Sequence, residues 1–173
     1  MLVGLGNPGQ EYVGSRHNVG RYLLNALEKD LSGKPKILDL NVYMNNSGGP
    51  IKKAVPSQKA AGRLVVVHDD LDLPFGSVKL SFGSGSGGHR GVESIIKALK
   101  TRDFVRVRVG VSPTTPGGKI KKPDAKKVID FVLGQFKPGE REKLKKVKKT
   151  VKEALELILT DGLAAAMTAT NTR

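Results

Sequence analysis

The sequence contains neither cysteine nor tryptophan, and aromatic residues make up only 5% of its 173 positions. Without cysteine there is no disulfide and no thiolate metal site, as is typical of a protein from a reducing compartment. There is no charged-then-apolar leader and no long apolar run, so we expect neither a signal peptide nor a transmembrane helix. The three histidines are widely separated in the sequence and do not suggest a zinc cluster. The composition predicts a soluble, intracellular protein without a metal or other cofactor.

Acidic residues are also scarce, with 16 Asp and Glu against 30 Lys and Arg, which gives a formal net charge of +14. Such an excess is costly through self-repulsion unless a polyanion is the partner, and nucleic acid is the leading candidate. Much of the excess lies in residues 119–152. The lysines of residues 143–152 fit a solvated helix face equally well. An anionic membrane surface is disfavoured, because the apolar stripe of that helix is better explained by packing on the domain.

The chain begins almost directly on an apolar strand, and three further apolar segments predict strands. Residues 64–68 are β-branched and aliphatic and end at Asp69 and Asp70, which indicates a buried central strand with polar residues at its carboxyl end, where ligand sites of open α/β sheets gather. A turn is expected at residues 71–76, and the strand at residues 78–82 follows too closely for a helical crossover, so the sheet is predicted to be mixed. Residues 104–111 alternate, which favours a half-buried strand with Arg106 and Arg108 on its polar face.

Helical periodicity separates these strands. Apolar residues recur at helical spacing in residues 92–99 and from residue 138 to about residue 161. Residues 112–127 read as a mobile basic loop, and residues 128–133 fit a helix or a strand. We predict an α/β fold, a single three-layer domain over residues 1–173 with a twisted mixed β-sheet flanked by helices. The first helix is predicted to place one set of residues on a common face: Val19, Tyr22, Leu23, Ala26 and Leu27.

The glycines near the N-terminus satisfy the spacing of a dinucleotide-binding fingerprint at Gly4, Gly6 and Gly9, with Glu28 or Asp30 as the acidic residue further on. That fingerprint requires a helix to open within the glycine run. Here the chain stays irregular through residues 14–18, and helical periodicity begins only afterwards. A nucleotide site is therefore disfavoured, and calorimetry with added dinucleotide would test it.

The same loop offers a candidate base, His17, together with Asn7. If Asp69, at a predicted strand end, accepts a hydrogen bond from one ring nitrogen, the other nitrogen is free to take a proton. There is no obvious Ser or Cys elbow motif, so a histidine and a carboxylate suggest activated water as the nucleophile. Spacing alone does not establish that these groups meet.

Taken in order along the chain, several motifs resemble those of the bacterial-type peptidyl-tRNA hydrolases, which also occur in eukaryotic organelles. The resemblance extends over nearly the whole chain, and several motifs in the right order are far more specific than one glycine pattern. The motifs are residues 3–9, 15–20, 43–45 with 47–48, 68–70 through 73–74, 87–89 and 131–134.

The resemblance implies an esterase that cuts the bond joining a peptide to the terminal ribose of tRNA. It implies that His17 is the general base for water and that Asp69 fixes its tautomer. By the same resemblance Asn7 senses the amide that distinguishes a peptidyl ester from an aminoacyl ester, and Asn45 orients substrate or water and supports the oxyanion.

The resemblance further implies contacts with the tRNA. Tyr12 and Tyr43 offer rings near the 3′-terminal nucleotide, and Lys79 and Arg108 match positions that contact phosphates. The expected partner is peptidyl-tRNA, bound through its acceptor stem and 3′ end by a monomer that needs no cofactor. A cytoplasmic location is expected, and a mitochondrial one stays open.

Three departures from the family pattern matter. Arg90 stands where the family usually has Asn after Gly-Gly-His, so a neutral amide has become a cation. The span from His17 to Asn45 is short, which suggests a missing hairpin, and residues 119–127 are unusually basic for a gating loop. The rival interpretation is a non-catalytic RNA-binding relative, but a binder would not need His17, Asp69, Asn7 and Asn45 together.

Overall fold

The sheet contains four strands in the order β1-β2-β4-β3. The structure is a computed structural model that describes residues 1–172. Strands β1, β2 and β4 run parallel, and β3 pairs antiparallel with β4 at the edge. This confirms the predicted mixed sheet, and β3 has the predicted bounds. The strands are β1 (Leu2–Gly4), β2 (Val65–Pro74), β3 (Val78–Phe82) and β4 (Val105–Ser112).

Helices cover both faces of the sheet and give three layers, as predicted. One apolar cluster joins residues of α1, α6 and α7 to one face, and a second joins residues of α2 and α4 to the other. The helices are α1 (Val19–Leu27), α2 (Gly48–Ala54), α3 (Gln58–Ala61), α4 (Arg90–Leu99), α5 (Val128–Leu133), α6 (Pro138–Thr160) and α7 (Leu163–Asn171). Short 3₁₀ turns occupy Gln10–Tyr12, Arg16–Asn18, Glu28–Asp30, Met44–Asn46 and Ala125–Lys127.

Two strands differ from their predicted form. β4 is not half-buried: it lies between β2 and β3, and Arg106 is only 3% exposed. The alternation of Val and Arg was misleading because a central strand of a three-layer fold is covered on both faces. β2 continues to Pro74, where a turn was expected from residue 71, because its last residue still pairs with Ser112 across an irregularity in the register.

The helices correct one further expectation and decide one question that the sequence left open. Val19, Leu23 and Leu27 are buried as predicted, but Tyr22 and Ala26 are exposed, and Leu24 completes the buried face of α1 instead. Residues 128–133, for which helix and strand were both open, form α5. Among residues 1–172, no helix has both the length and the apolar character that a bilayer span requires.

Candidate active site

Gly20 lets α1 begin directly against β2. A Cβ atom at this position would lie 2.1 Å from the carbonyl oxygen of Val67, a distance that only glycine allows. The connection is held by backbone hydrogen bonds, in which Leu5 N–H donates to the Val67 carbonyl at 2.9 Å and Arg21 N–H donates to the Leu5 carbonyl at 3.0 Å. The residues just before α1 therefore lie at the carboxyl end of the parallel strands.

Two buried residues anchor the short 3₁₀ turn that carries His17. Arg16 donates to the backbone carbonyls of Phe131 and Gly134 and forms a 2.8 Å ion pair with Glu140. Asn18 is bonded to the glycine-rich loop in both directions, accepting from Asn7 N–H and donating to the Asn7 carbonyl, each at 2.9 Å. His17 is thus held in place from both sides, and its position is tied to that of Asn7.

His17 and Asp69 form a hydrogen-bonded pair. The Nδ1 atom of His17 lies 2.9 Å from Oδ1 of Asp69, and Asp69 is only 2% exposed. An ionised carboxylate can only accept, so Nδ1 carries the hydrogen and Nε2 carries a lone pair. No residue in 1–172 is hydrogen-bonded to this Nε2. The pair therefore presents an oriented base.

His89 is a third member of the site that the sequence analysis did not select. It is the residue before α4, and its Nδ1 accepts hydrogen bonds from the backbone N–H groups of Gly91 at 3.1 Å and Val92 at 3.3 Å. Its Nε2 lies 2.9 Å from Asp69 Oδ1, the same oxygen that His17 contacts. A histidine between a glycine-rich loop and a helical pattern was the available signal, since that place is the helix N-cap.

The three histidines, which are far apart in the sequence, converge in space. The ring centroids of His17 and His89 are 4.8 Å apart, and those of His68 and His89 are also 4.8 Å apart. The ligand atoms of His17, Asp69 and His89 lie within 4.8 Å of one another, close enough for one metal ion. The hydrogen bonds do not fit such an ion, because Nδ1 of His89 accepts from the backbone and its Nε2 therefore carries a hydrogen instead of a free lone pair.

The electrostatics of the buried groups favour an ionised Asp69 and a neutral His68. Burial by itself raises the pKa of Asp69, but His89 and His17 and their hydrogen bonds outweigh it and hold that pKa well below its ordinary value. Burial lowers the pKa of His68 well below its ordinary value, and His89 lowers it further. Asp69 can therefore serve as a permanent acceptor for His17.

A cavity of about 510 Å³ opens beside the pair. Six of the predicted site residues line it. Tyr12 does not, but its ring contacts Tyr43 edge-on with centroids 6.4 Å apart. The sequence analysis missed an apolar wall from α5, which includes the half-exposed Ile129. The predicted residues that line the cavity are Asn7, His17, Tyr43, Asn45, Asp69 and Arg90.

Asn7 presents a donor to the cavity. Its Oδ1 accepts a 2.7 Å hydrogen bond from Met44 N–H, which fixes the orientation of the amide. The Nδ2 group is therefore the part of the amide that remains for a ligand, and residues 1–172 provide it with no hydrogen-bond partner.

Two predicted phosphate contacts lie outside the cavity lining and are already engaged. Arg108 donates through Nε to Asp70 Oδ2 at 2.7 Å, and Asp70 is itself a lining residue. Lys79 on β3 donates to the backbone carbonyl of Asn171 in α7. Lys122 forms an ion pair with Asp72, which attaches the basic segment after β4 to the rim of the cavity.

The N-terminal loop does not have the form of a dinucleotide site. Two 3₁₀ turns follow the glycines, and α1 begins only at Val19. Glu28 and Asp30 lie in a further 3₁₀ turn after α1. The loop instead positions Asn7 and His17 at the cavity.

Together the fold and the site define an α/β enzyme with a histidine–carboxylate pair at the carboxyl ends of its parallel strands, in which the loops supply neutral amides and a cation. The sequence matches the family model described as peptidyl-tRNA hydrolase over residues 1–173. The chain belongs to the peptidyl-tRNA hydrolase family.

Named relatives agree with this assignment. A peptidyl-tRNA hydrolase of Paenarthrobacter aurescens is 36% identical, with 96% of this chain and 93% of the relative covered. One from Herpetosiphon aurantiacus is 39% identical over 99% of this chain and 89% of the relative. The crystal structure of peptidyl-tRNA hydrolase from Acinetobacter baumannii superposes with a TM-score of 0.80 and 28% identity, covering 98% of this chain and 93% of that one.

Proposed function

We propose that this chain hydrolyses the ester bond between the peptide and the 3′-terminal ribose of peptidyl-tRNA, with His17 as the general base for water. The observation that carries the proposal is the His17–Asp69 pair at the cavity wall, in which Nε2 of His17 keeps its lone pair. Family membership supports the substrate, and the charge of +14 suits its polyanionic part.

In the first step, Nε2 of His17 takes a proton from a water molecule as the water oxygen attacks the ester carbonyl carbon. The bond between that carbon and the water oxygen forms, and the carbonyl oxygen becomes an oxyanion. Asp69 stabilises the imidazolium through its 2.9 Å hydrogen bond without taking the proton. In the second step the C–O bond to the ribose breaks, and His17 returns the proton to the departing 3′ oxygen.

Two asparagines contact the acyl side of the ester. Asn45 is exposed in the 3₁₀ turn at the cavity and supplies an amide donor for the oxyanion. Asn7 offers only Nδ2, because Met44 occupies its Oδ1. A donor at this place donates to the carbonyl oxygen of the adjacent peptide bond and disfavours the ammonium group of an unblocked aminoacyl ester. This gives a physical basis for distinguishing a peptidyl ester from an aminoacyl ester by its amide.

The tRNA side of the substrate is assigned to the aromatic and cationic residues. Tyr43 is 53% exposed at the cavity and is supported edge-on by Tyr12, which suits stacking with a terminal base. Arg90 is exposed at the first position of α4 and suits a phosphate of the single-stranded 3′ end. Arg108 and Lys79 are proposed as more distant phosphate contacts. To bind phosphates, Arg108 must release Asp70 and Lys79 must release the carbonyl of Asn171.

We further propose that residues 1–173 act as one domain and as a monomer, in the cytoplasm, and without a cofactor. An activated ester needs no stronger catalyst than an oriented imidazole and water.

Hydrolysis in water enriched in oxygen-18 tests this mechanism. Attack by water on the carbonyl carbon places one heavy oxygen in the released peptide carboxylate and none in the tRNA ribose. Label in the ribose would mean that the other ester bond breaks. Tight binding of peptidyl-tRNA without any release of tRNA would instead support the RNA-binding relative.

A further inference from the structure

The inference concerns His89 and rests on the proposed role of His17 as the base. Both ring nitrogens of His89 are engaged. Backbone N–H groups can only donate, so Nδ1, which receives those of Gly91 and Val92, must carry the lone pair. The hydrogen of the neutral ring is therefore on Nε2, and it points to Asp69 Oδ1 at 2.9 Å. The N-terminus of α4 thus fixes the tautomer of His89.

Protonation of His89 is opposed by the same contacts. A second ring hydrogen would have to sit on Nδ1, where two backbone N–H groups already point, and the added positive charge would lie at the positive end of the α4 dipole. The side chain of His89 is also only 7% exposed. His89 is therefore held as a donor to Asp69 through Nε2.

Asp69 Oδ1 accepts hydrogen bonds from two imidazole rings. The distances from Oδ1 to His17 Nδ1 and to His89 Nε2 are both 2.9 Å. A carboxylate that already accepts one strong hydrogen bond stabilises a neighbouring imidazolium less than a carboxylate whose charge is free. The ring centroids of His89 and His17 are 4.8 Å apart, so the two rings also contact each other directly.

We propose that His89 is a positioning residue that acts through Asp69: it holds Oδ1 toward His17 and withdraws enough of the carboxylate charge to keep His17 unprotonated as a base near neutral pH. Without the hydrogen bond from His89, the full charge of Asp69 would act on His17. His17 would then retain its proton to higher pH and could not accept one from water. The α4 N-terminus, through His89, thereby sets the lower pH limit of the reaction.

Other charged groups around His17 do not take over this function. Asp69 and His89 contact it directly, and His68 contacts the ring of His89. Around the rest of the cavity, Asp70 and Asp72 are neutralised by Arg108 and Lys122. Arg90 adds positive charge at the rim, and Arg16 on the turn that carries His17 is paired with Glu140.

Two substitutions separate the donor function from the helix cap. In His89→Gln the amide nitrogen reaches the place of Nε2 and can still donate to Asp69. In His89→Asn the shorter amide reaches only the place of Nδ1, so its oxygen still caps α4 but the donor to Asp69 is lost. Circular dichroism and thermal unfolding verify that both variants are folded.

The test is a pH titration of the His17 ring by NMR, which needs no turnover and is resolved easily because the chain has 3 histidines. We expect the titration midpoint in His89→Asn to move up by about half a unit to one unit, a part of the roughly 1–2 units that one hydrogen bond to a charged acceptor is worth, because the lost bond acts on His17 only through Asp69. The midpoint in His89→Gln should stay near that of the unaltered chain. The acid limb of kcat/KM should shift in parallel. Ring nitrogen shifts should show the hydrogen of His89 on Nε2.

An unchanged His17 midpoint in a folded His89→Asn variant would overturn the proposal, as would a hydrogen on Nδ1 of His89. If the unaltered chain released no tRNA while the NMR midpoints moved as expected, the proposed function would fail and the coupling of His89 to His17 would stand.

Discussion

Asp69 Oδ1 lies 2.9 Å from His17 Nδ1, although 52 residues separate the two in the sequence. The contact exists because α1 starts directly on β2 at Gly20 and because Arg16 and Asn18 anchor the turn between them. A base and its carboxylate are therefore held by the fold itself and not by a flexible loop. This arrangement leads to predictions about both stability and chemistry.

Gly20→Ala should destabilise the protein by about 1–3 kcal/mol, the usual cost of overpacking. The new Cβ would lie 2.1 Å from the Val67 carbonyl oxygen and would push α1 away from β2. Gly49→Ala is the matched control, since a Cβ there meets nothing within 4 Å and alanine favours the helix. Chemical denaturation measures both, and equal stability of the two variants would contradict the close approach.

Asn7→Asp should reduce the preference for N-blocked over unblocked aminoacyl-tRNA. The carboxylate can still accept from Met44 N–H, but it replaces the Nδ2 donor with an acceptor that favours an ammonium group. Asn46→Asp adds the same charge nearby at an exposed residue outside the cavity lining. Competition assays give the ratio of kcat/KM for the two esters. A ratio that falls equally in both variants would mean that general charge, and not Asn7, is responsible.

Arg90→Gln should weaken tRNA binding and reduce its salt dependence. Each phosphate contact contributes a slope of about −0.7 to −0.9 in a plot of log affinity against log salt, so loss of one contact should reduce the slope by that amount. Lys59→Gln removes an equal charge from an exposed position on α3, away from the cavity lining. An Arg90→Gln slope equal to that of Lys59→Gln would remove Arg90 from the interface.

His68 should make the free energy of unfolding depend on pH below about 6.5, the ordinary pKa of histidine. Because its pKa in the folded state is lowered, the unfolded chain binds this proton first as the pH falls. The stabilising contribution is complete above the ordinary pKa and is lost toward the lowered one, at up to about 1.4 kcal/mol per pH unit. His68→Asn keeps a donor for the Asp69 carbonyl but cannot titrate. Its unfolding free energy should fall less steeply with acid, and identical slopes would refute the assignment.

The sequence indicated that Asn7, His17 and Asp69 could lie at one edge of the sheet, but spacing alone did not establish that they meet. The indication was topological: a residue after a parallel strand and a loop before a helix both fall at the carboxyl edge of the sheet. The separate motifs along the chain then indicated which side chains belonged together, and the structure places Tyr43, Asn45 and Arg90 at the same cavity.

The role of His89 could not be predicted in this way. Its tautomer depends on two backbone N–H groups that point at it only when α4 is formed. The partners of Lys79 and Arg108 were equally hidden, because strand alternation gives the face of a side chain and not the group that it contacts. Arg106 was misplaced for a related reason, since its burial follows from the position of β4 between two other strands.

The most direct test of the account is the rate at which free tRNA is released from an N-blocked aminoacyl-tRNA, measured beside the unblocked ester and with the His17→Ala variant. We predict cleavage of the blocked ester alone, and a loss of about 10²- to 10⁴-fold in turnover for the variant with little change in tRNA affinity. Equal turnover of the variant and the unaltered chain would contradict His17 as the base.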